Sequence, residues 1–331
     1  MKTWLDKWEP ENEEFWEKTG SKIAWRTLII TTLTLIISFA SWFLMSVVVV
    51  KLPGLGFTYT KSQLFWLAAV PGLAAGVLRI IHTFILPIFG TRHVVTYATL
   101  IKLIPVVGIG FALMNPDTPF WLFMILAFMT GFGGGDFSSY MPSTSLFFPK
   151  RLKGTALGIQ AGIGNFGVSL AQFVTPVILS IALYGAPSIF TKIDVKEAKE
   201  IFATTTLDQQ AQLISNIDLK KQEAILSNVD AKVLDSVKAA INSRDHSQIF
   251  VSLPLATKSK IIDNANPKLA EIFLETLRPG NKAVTNQEIY IQSAAFWYVP
   301  FLIIMAILSW FYLKSIPMKA SITEQLDIFK S

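Results

Sequence analysis

The sequence has no cysteine, only three histidines (His82, His93 and His246) and little charge, with 16% of its 331 residues Asp, Glu, Lys or Arg. Without cysteine there is no disulfide framework, no thiolate metal site and no cysteine nucleophile. Three histidines scattered along the chain do not make a histidine-rich metal centre. No nucleophile–base pair and no cofactor fingerprint is present either, so neither an enzyme nor a bound cofactor is expected. The first 24 residues carry acids, lysines and the tryptophans Trp4, Trp8 and Trp16 in place of a short apolar core, so no cleavable signal peptide is expected.

What fills the chain instead is apolar. Hydrophobic residues make up 52% of it, whereas a soluble domain has roughly a quarter charged residues. These values predict an all-α polytopic membrane protein. Residues 1–26 read as an amphipathic arm lying at the bilayer surface, with a short helix after Pro10. Five spans follow within 27–185: Thr27 to Val50, Ser62 to Gly90, His93 to Met114, Pro119 to Phe148, and Gly154 to about Tyr184. Each is long enough to cross a hydrocarbon core of roughly 30 Å. From 186 to 288 the character changes, with thirteen basic and thirteen acidic residues between 186 and 291. That stretch reads as a small helical insert containing an internal echo, Ile214 to Asp218 and Leu226 to Asp230, whose aspartates suit helix N-caps. A sixth span occupies 289–314, and 315–331 is a tail.

Lys and Arg cluster in four short segments: before span one, at Arg92, at Lys150, Arg151 and Lys153, and after span six. The positive-inside bias then puts both termini in the cytoplasm and the insert outside. The net charge of +6 lies in the membrane half and reports topology, with no call for nucleic acid.

Polar groups within the spans carry the chemistry. Gly154, Gly158 and Gly162 stand four apart, a bare stripe where another helix can approach. Asn165, Ser169 and Gln172 share one face at i, i+4 and i+7, and in hydrocarbon such a face needs a partner, water or a ligand. Arg79 lies deep in span two; its guanidinium stays charged and its planar fork suits planar oxyanions. Lys102 and Asp136 lie mid-span on neighbouring helices. They are expected to pair with each other, leaving Arg79 for a substrate, although Asp136 could instead carry a coupling proton. Gly131, Gly133, Gly134 and Gly135 before Phe137 read as a thin helix wall beside a small solute, with Phe137 as a clamp above it.

These residues bring a resemblance into view. Trp8-Glu-Pro-Glu, Leu78-Arg79, Pro87-Ile-Phe-Gly90, Phe147-Phe-Pro-Lys150 and above all Gly162-Ile-Gly-Asn-Phe-Gly-Val-Ser169 resemble the nitrate/nitrite porter family of the major facilitator superfamily. The resemblance implies an alternating-access carrier in a bacterial inner membrane. Arg79 would ligate nitrate or nitrite, with Asn165, Gly164, Ser169 and Phe137 contributing to the site. Family members have twelve spans in two halves. The chain is therefore expected to act as an N-terminal half, with a separate C-terminal half or as a homodimer. Lys102 and Asp136, at positions expected to be neutral in the best-known members, leave proton symport and anion exchange both open. So does the insert depart from the family pattern. The alternatives are a truncated membrane protein or scaffold acting through its insert, or a carrier of another small anion.

Overall fold

In a computed structural model of the chain, residues 3–204, 206–207, 226, 232, 235, 246–253, 257–258, 267–278 and 280–317 are described. Nearly all of the internal repeat and residues 318–331 of the tail lie outside them. The described residues fall into two compact units: residues of 1–50, 61–187 and 290–331 form one, and those of 51–60 and 188–289 the other.

The first unit is the membrane bundle. Among the described residues, five helices are long and apolar enough to cross a membrane: Glu13–Trp42, Lys61–Leu113, Phe120–Phe147, Lys150–Ile178 and Ser293–Tyr312. The second of these has 53 residues, about 80 Å at the α-helical rise, far more than one bilayer accommodates. It breaks at Gly90, where φ is 75° and ψ is 161°, and so supplies both the second and the third span. Only glycine suits that position, because its backbone is left-handed and an added Cβ would run into Ser315 and Trp4. The chain is thus an all-α polytopic membrane protein.

The N-terminal arm differs from the expectation. Helix begins at Glu13, passes through a π-helical stretch at Trp16–Gly20 and continues as Ser21–Trp42. Residues 13–26 are therefore the first turns of span one. The arm's aromatics are used within the protein: Trp16, Ala24 and Leu28 pack with Phe147 and Phe148, and Trp8 Nε1 donates to the Leu146 carbonyl at 3.1 Å.

Inside the bundle, several polar side chains find partners on their own or a neighbouring helix, which lowers their cost in hydrocarbon. Thr27, Thr31 and Thr34 each donate to the carbonyl four residues back. Gln160 Nε2 donates to Thr31 Oγ1 at 2.9 Å, joining spans five and one. Tyr298 Oη donates to the Ala40 carbonyl at 3.0 Å, joining spans six and one. The close helix contacts are made at other glycines than the sequence pattern suggests. Cβ atoms at Gly164 and Gly167 would meet Leu35 and the Ile36 carbonyl of span one, whereas at Gly154, Gly158 and Gly162 they would meet nothing within 4 Å. The bare stripe is an open face among the described residues.

The second unit corrects the expectation of an all-helical insert. Strands β1 (Ser188–Ile193) and β2 (Val284–Ile289) pair antiparallel, Ser188 opposite Ile289 and Ile193 opposite Val284. Residues 51–60, which separate the first two spans in sequence, belong here: a Cβ at Gly54 would meet Phe190, and Lys51 lies over the Phe190 ring. The helix Val195–Thr204 is capped by Asp194, whose Oδ1 accepts from the backbone of Lys196 and Glu197. The helix Pro267–Leu277 is fastened to the strands by Glu271, which accepts from Asn286, Lys268 and Thr191. Burial pushes the Glu271 carboxyl up, but those hydrogen bonds and the Lys268 charge outweigh it and hold it below the ordinary carboxylate value.

Two outcomes follow from this packing. Gly133→Ala sets a methyl against the Ser38 carbonyl and should cost about 1–3 kcal/mol, read as a lower melting temperature in detergent; Gly158→Ala should melt like the parent. Glu271, depressed in the folded state, contributes stability that is present above the ordinary carboxylate pKa of about 4.3 and is lost as pH falls through its lower folded value. The protection of β2 amides against hydrogen exchange, taken relative to the intrinsic rate at each pH, should therefore fall on acidification in the parent, and Glu271→Gln should show the lowered protection already at neutral pH.

Candidate functional site

Arg79 lies on the second span with Gly72 and Gly76 on its side of the helix, two positions where a Cβ would meet nothing within 4 Å. Its side chain is exposed and held at its root. Nε donates to the Gly134 carbonyl at 3.1 Å, and the guanidinium carbon stands 5.4 Å from the centroid of the Phe137 ring. Phe137 in turn stacks on Phe39 at 6.1 Å and packs against the core of the bundle. The terminal nitrogens of Arg79 donate to no described residue. A fork whose terminal N–H groups meet no described acceptor, on an aromatic floor and inside a membrane span, has the donor geometry that suits a planar oxyanion.

The glycine run that supplies this carbonyl is a packing device and not the wall of a solute site. A Cβ at Gly131 would strike Ala74 and Ala75, one at Gly133 the Ser38 carbonyl, and one at Gly134 Ala75 and Trp42. The bare backbone lets span four close on spans one and two at once. That closeness brings the Gly134 carbonyl to Arg79 and carries Asp136 into the core.

Asp136 is fully buried and Lys102 is 1% exposed. Lys102 Nζ contacts Asp136 Oδ2 and donates to Ser38 Oγ at 2.7 Å, and Ser38 donates to the same carboxylate oxygen at 2.6 Å. Spans one, three and four are thus tied at one point. The lysine charge is taken up there, which leaves Arg79 as the cation facing outward from this part of the bundle. His82, one turn beyond Arg79, places Nδ1 at 3.0 Å from Ser139 Oγ and 3.8 Å from Asp136 Oδ1. Nothing in the sequence separates His82 from the two other lone histidines; only the fold brings it to Asp136.

The fifth-span residues are placed differently. Asn165 and Ser169 are exposed, and Asn165 Nδ2 donates to the Ala161 carbonyl of its own helix at 2.7 Å. Neither is hydrogen-bonded to Arg79 among the described residues. Gly164 faces inward, where its missing side chain admits Leu35. Gln172 is exposed on the face of Asn165 and Ser169. Among the described residues no cluster of His, Cys, Asp and Glu is arranged to hold a metal ion.

The chain is 41% identical to a probable nitrate/nitrite antiporter, NarK2, of Thermus thermophilus over 332 aligned residues, covering 99% of the chain and 54% of that relative. It is 43% identical to the nitrate/nitrite transporter NarU of Salmonella typhimurium over 180 residues, 54% of the chain and 39% of the relative. A probable nitrate transporter, NarT, of Staphylococcus aureus is 31% identical over 156 residues, 46% of the chain and 38% of the relative. All three relatives bear the names of nitrate or nitrite carriers, in line with the resemblance that the sequence motifs carry. No protein-family model matches the sequence. The chain spans about half the length of the Thermus porter it matches, and less of the other two. Because the Thermus match takes in 99% of the chain, the insert, unlike anything expected of the family, has a counterpart in that porter.

The three-way contact makes a sharp prediction. Lys102→Met leaves Asp136 charged and unpaired in the core, a change worth about 3–5 kcal/mol. Lys102→Met should therefore give little folded protein by size-exclusion chromatography. Lys102→Met with Asp136→Asn should recover most of it. Equal losses in the single and double variants would mean that the two residues act independently.

Proposed function

We propose that this chain forms the N-terminal half of a nitrate/nitrite carrier and that Arg79 is its anion ligand. The observation that carries the reading is the Arg79 fork, anchored by Gly134 and Phe137 with its terminal N–H groups free and exposed. Nitrate and nitrite are planar, monovalent and small, and a guanidinium binds such oxyanions through parallel N–H···O contacts. The names of the related porters point to the same substrates.

The anion is held from one side only. A second wall is needed to enclose it, and two faces of the bundle are shaped to receive one: Gly72, Gly76 and Arg79 on span two, and Gly158, Gly162, Asn165 and Ser169 on span five. Both combine bare backbone with polar groups at helical spacing. A second six-helix half completes the cavity and rocks against this one to expose the anion alternately. Asn165 and Ser169 then face the substrate path from span five. The charge of the short loops favours an inner-membrane carrier with both termini in the cytoplasm and the 188–289 unit outside.

The test is uptake of nitrate and nitrite into proteoliposomes containing the purified chain, alone and with a candidate second half. Arg79→Lys should reduce uptake at least tenfold without altering the melting temperature, since lysine keeps the charge and loses the fork. Undiminished uptake in that variant would remove Arg79 from the site.

A further inference from the structure

His82 has a structural position that anion binding alone does not require. It is 3% exposed and lies between two charged groups, Arg79 one turn back on its own helix and Asp136 across from it at 3.8 Å. Lys102 faces the same carboxylate from span three, and Tyr140 stands one turn beyond Asp136 on span four. His82 also lines a cavity of about 480 Å³ between spans two and three, with Leu78, Phe89, Val94 and Tyr97, and His93 on the far side. Lys102 and Asp136 do not reach it.

Two details show that the pocket can hold the imidazole either neutral or charged. Asp136 Oδ2 is shared by Lys102 and Ser38, but Oδ1 is buried with no hydrogen-bond partner among the described residues. A buried carboxylate oxygen in that condition is costly, and a positive charge at Nδ1 of His82 would face it. The second detail is Ser139, whose Oγ lies 3.0 Å from His82 Nδ1 and 3.1 Å from the Asp136 carbonyl. With His82 neutral at Nδ1, the Ser139 hydroxyl donates to that nitrogen. With His82 protonated, Nδ1–H donates to Ser139 Oγ and the hydroxyl turns to the Asp136 carbonyl. Neither state strands a donor at the contact between Nδ1 and the Ser139 hydroxyl.

We propose that His82 is the proton-binding site that couples proton movement to anion movement in this carrier. The proposal rests on Arg79 being the anion ligand. Nδ1 takes a proton from water on one side of the membrane when the anion binds, and returns it to water on the other side when the anion leaves; no other bond is made or broken. The physical link is short. Gly134 and Phe137, which set Arg79, flank Asp136 in sequence, so the anion site and the His82–Asp136 contact are neighbouring rungs between the same two helices. An anion at Arg79 favours the charged imidazole, and by reciprocity the charged imidazole favours the anion. The buried Lys102–Asp136 pair sums to zero and does not offset this.

The chain has only three histidines, so nitrogen NMR of the purified, histidine-labelled full chain resolves them, with His82→Gln assigning the signal. At a fixed pH near the middle of its titration, added nitrate should move the His82 signal toward its protonated position. Nitrate affinity in the same samples should be on the order of tenfold higher at the acid end than at the alkaline end, and His82→Gln should bind nitrate with no such dependence. A His82 signal that never titrates, or that ignores nitrate while nitrate binds through Arg79, overturns the coupling and leaves a pure exchanger. Absence of nitrate binding in the parent, with a titrating His82, overturns the assignment of Arg79 first and the coupling with it.

Discussion

The contact between Lys102 and Asp136 organises the bundle. A lone charge in a low-dielectric interior costs several kcal/mol, so each of these residues is tolerable only while the other is in place. Ser38 completes the arrangement by donating to the carboxylate and accepting from the ammonium. Three spans are thereby fixed at a single depth. The glycine run at 131–135 is a consequence, because the fourth span can deliver Asp136 to this point only if its backbone lies against Ser38, Ala75 and Trp42.

That closeness also produces the outward-facing chemistry. The same segment that buries Asp136 turns the Gly134 carbonyl and the Phe137 ring toward Arg79. One cation is consumed in holding the helices together, and a second is positioned by the result with its donors unspent. His82 lies between the two, in contact with the structural pair and one turn from Arg79, the proposed anion ligand. Structure and site are therefore coupled through a few residues of spans two and four, which is why proton binding at His82 can be sensed at Arg79 without a long pathway.

Much of this was legible from the sequence, and the remainder was not for identifiable reasons. Span lengths and the absence of charge identify helices well, and they were found where the apolar runs lie. The depth of Arg79, Lys102 and Asp136 could be counted along each helix, since rise per residue is fixed. Which face a glycine presents could not be counted without knowing the neighbours: Gly154, Gly158 and Gly162 make the more regular pattern, yet Gly164 and Gly167 make the contacts with span one. Span one's start was obscured because acids and tryptophans near a helix end read equally well as a surface arm. β1 and β2 are six residues each and are separated by about ninety residues, so neither shows a hairpin signal. His82 was invisible because a single histidine has no spacing to interpret; its meaning comes from Asp136 on another helix.

The claim on which the account turns is that Arg79, and not Lys102, receives the anion. Distance measurement by solid-state NMR between nitrogen-labelled nitrate and carbon-labelled side chains, in the chain reconstituted in lipid, addresses it directly. The account predicts that nitrate lies in hydrogen-bond contact with the Arg79 guanidinium, above Phe137, while the Lys102 side chain keeps its distance to Asp136. Nitrate found against the Lys102 side chain, with the Lys102–Asp136 contact opened, would contradict it.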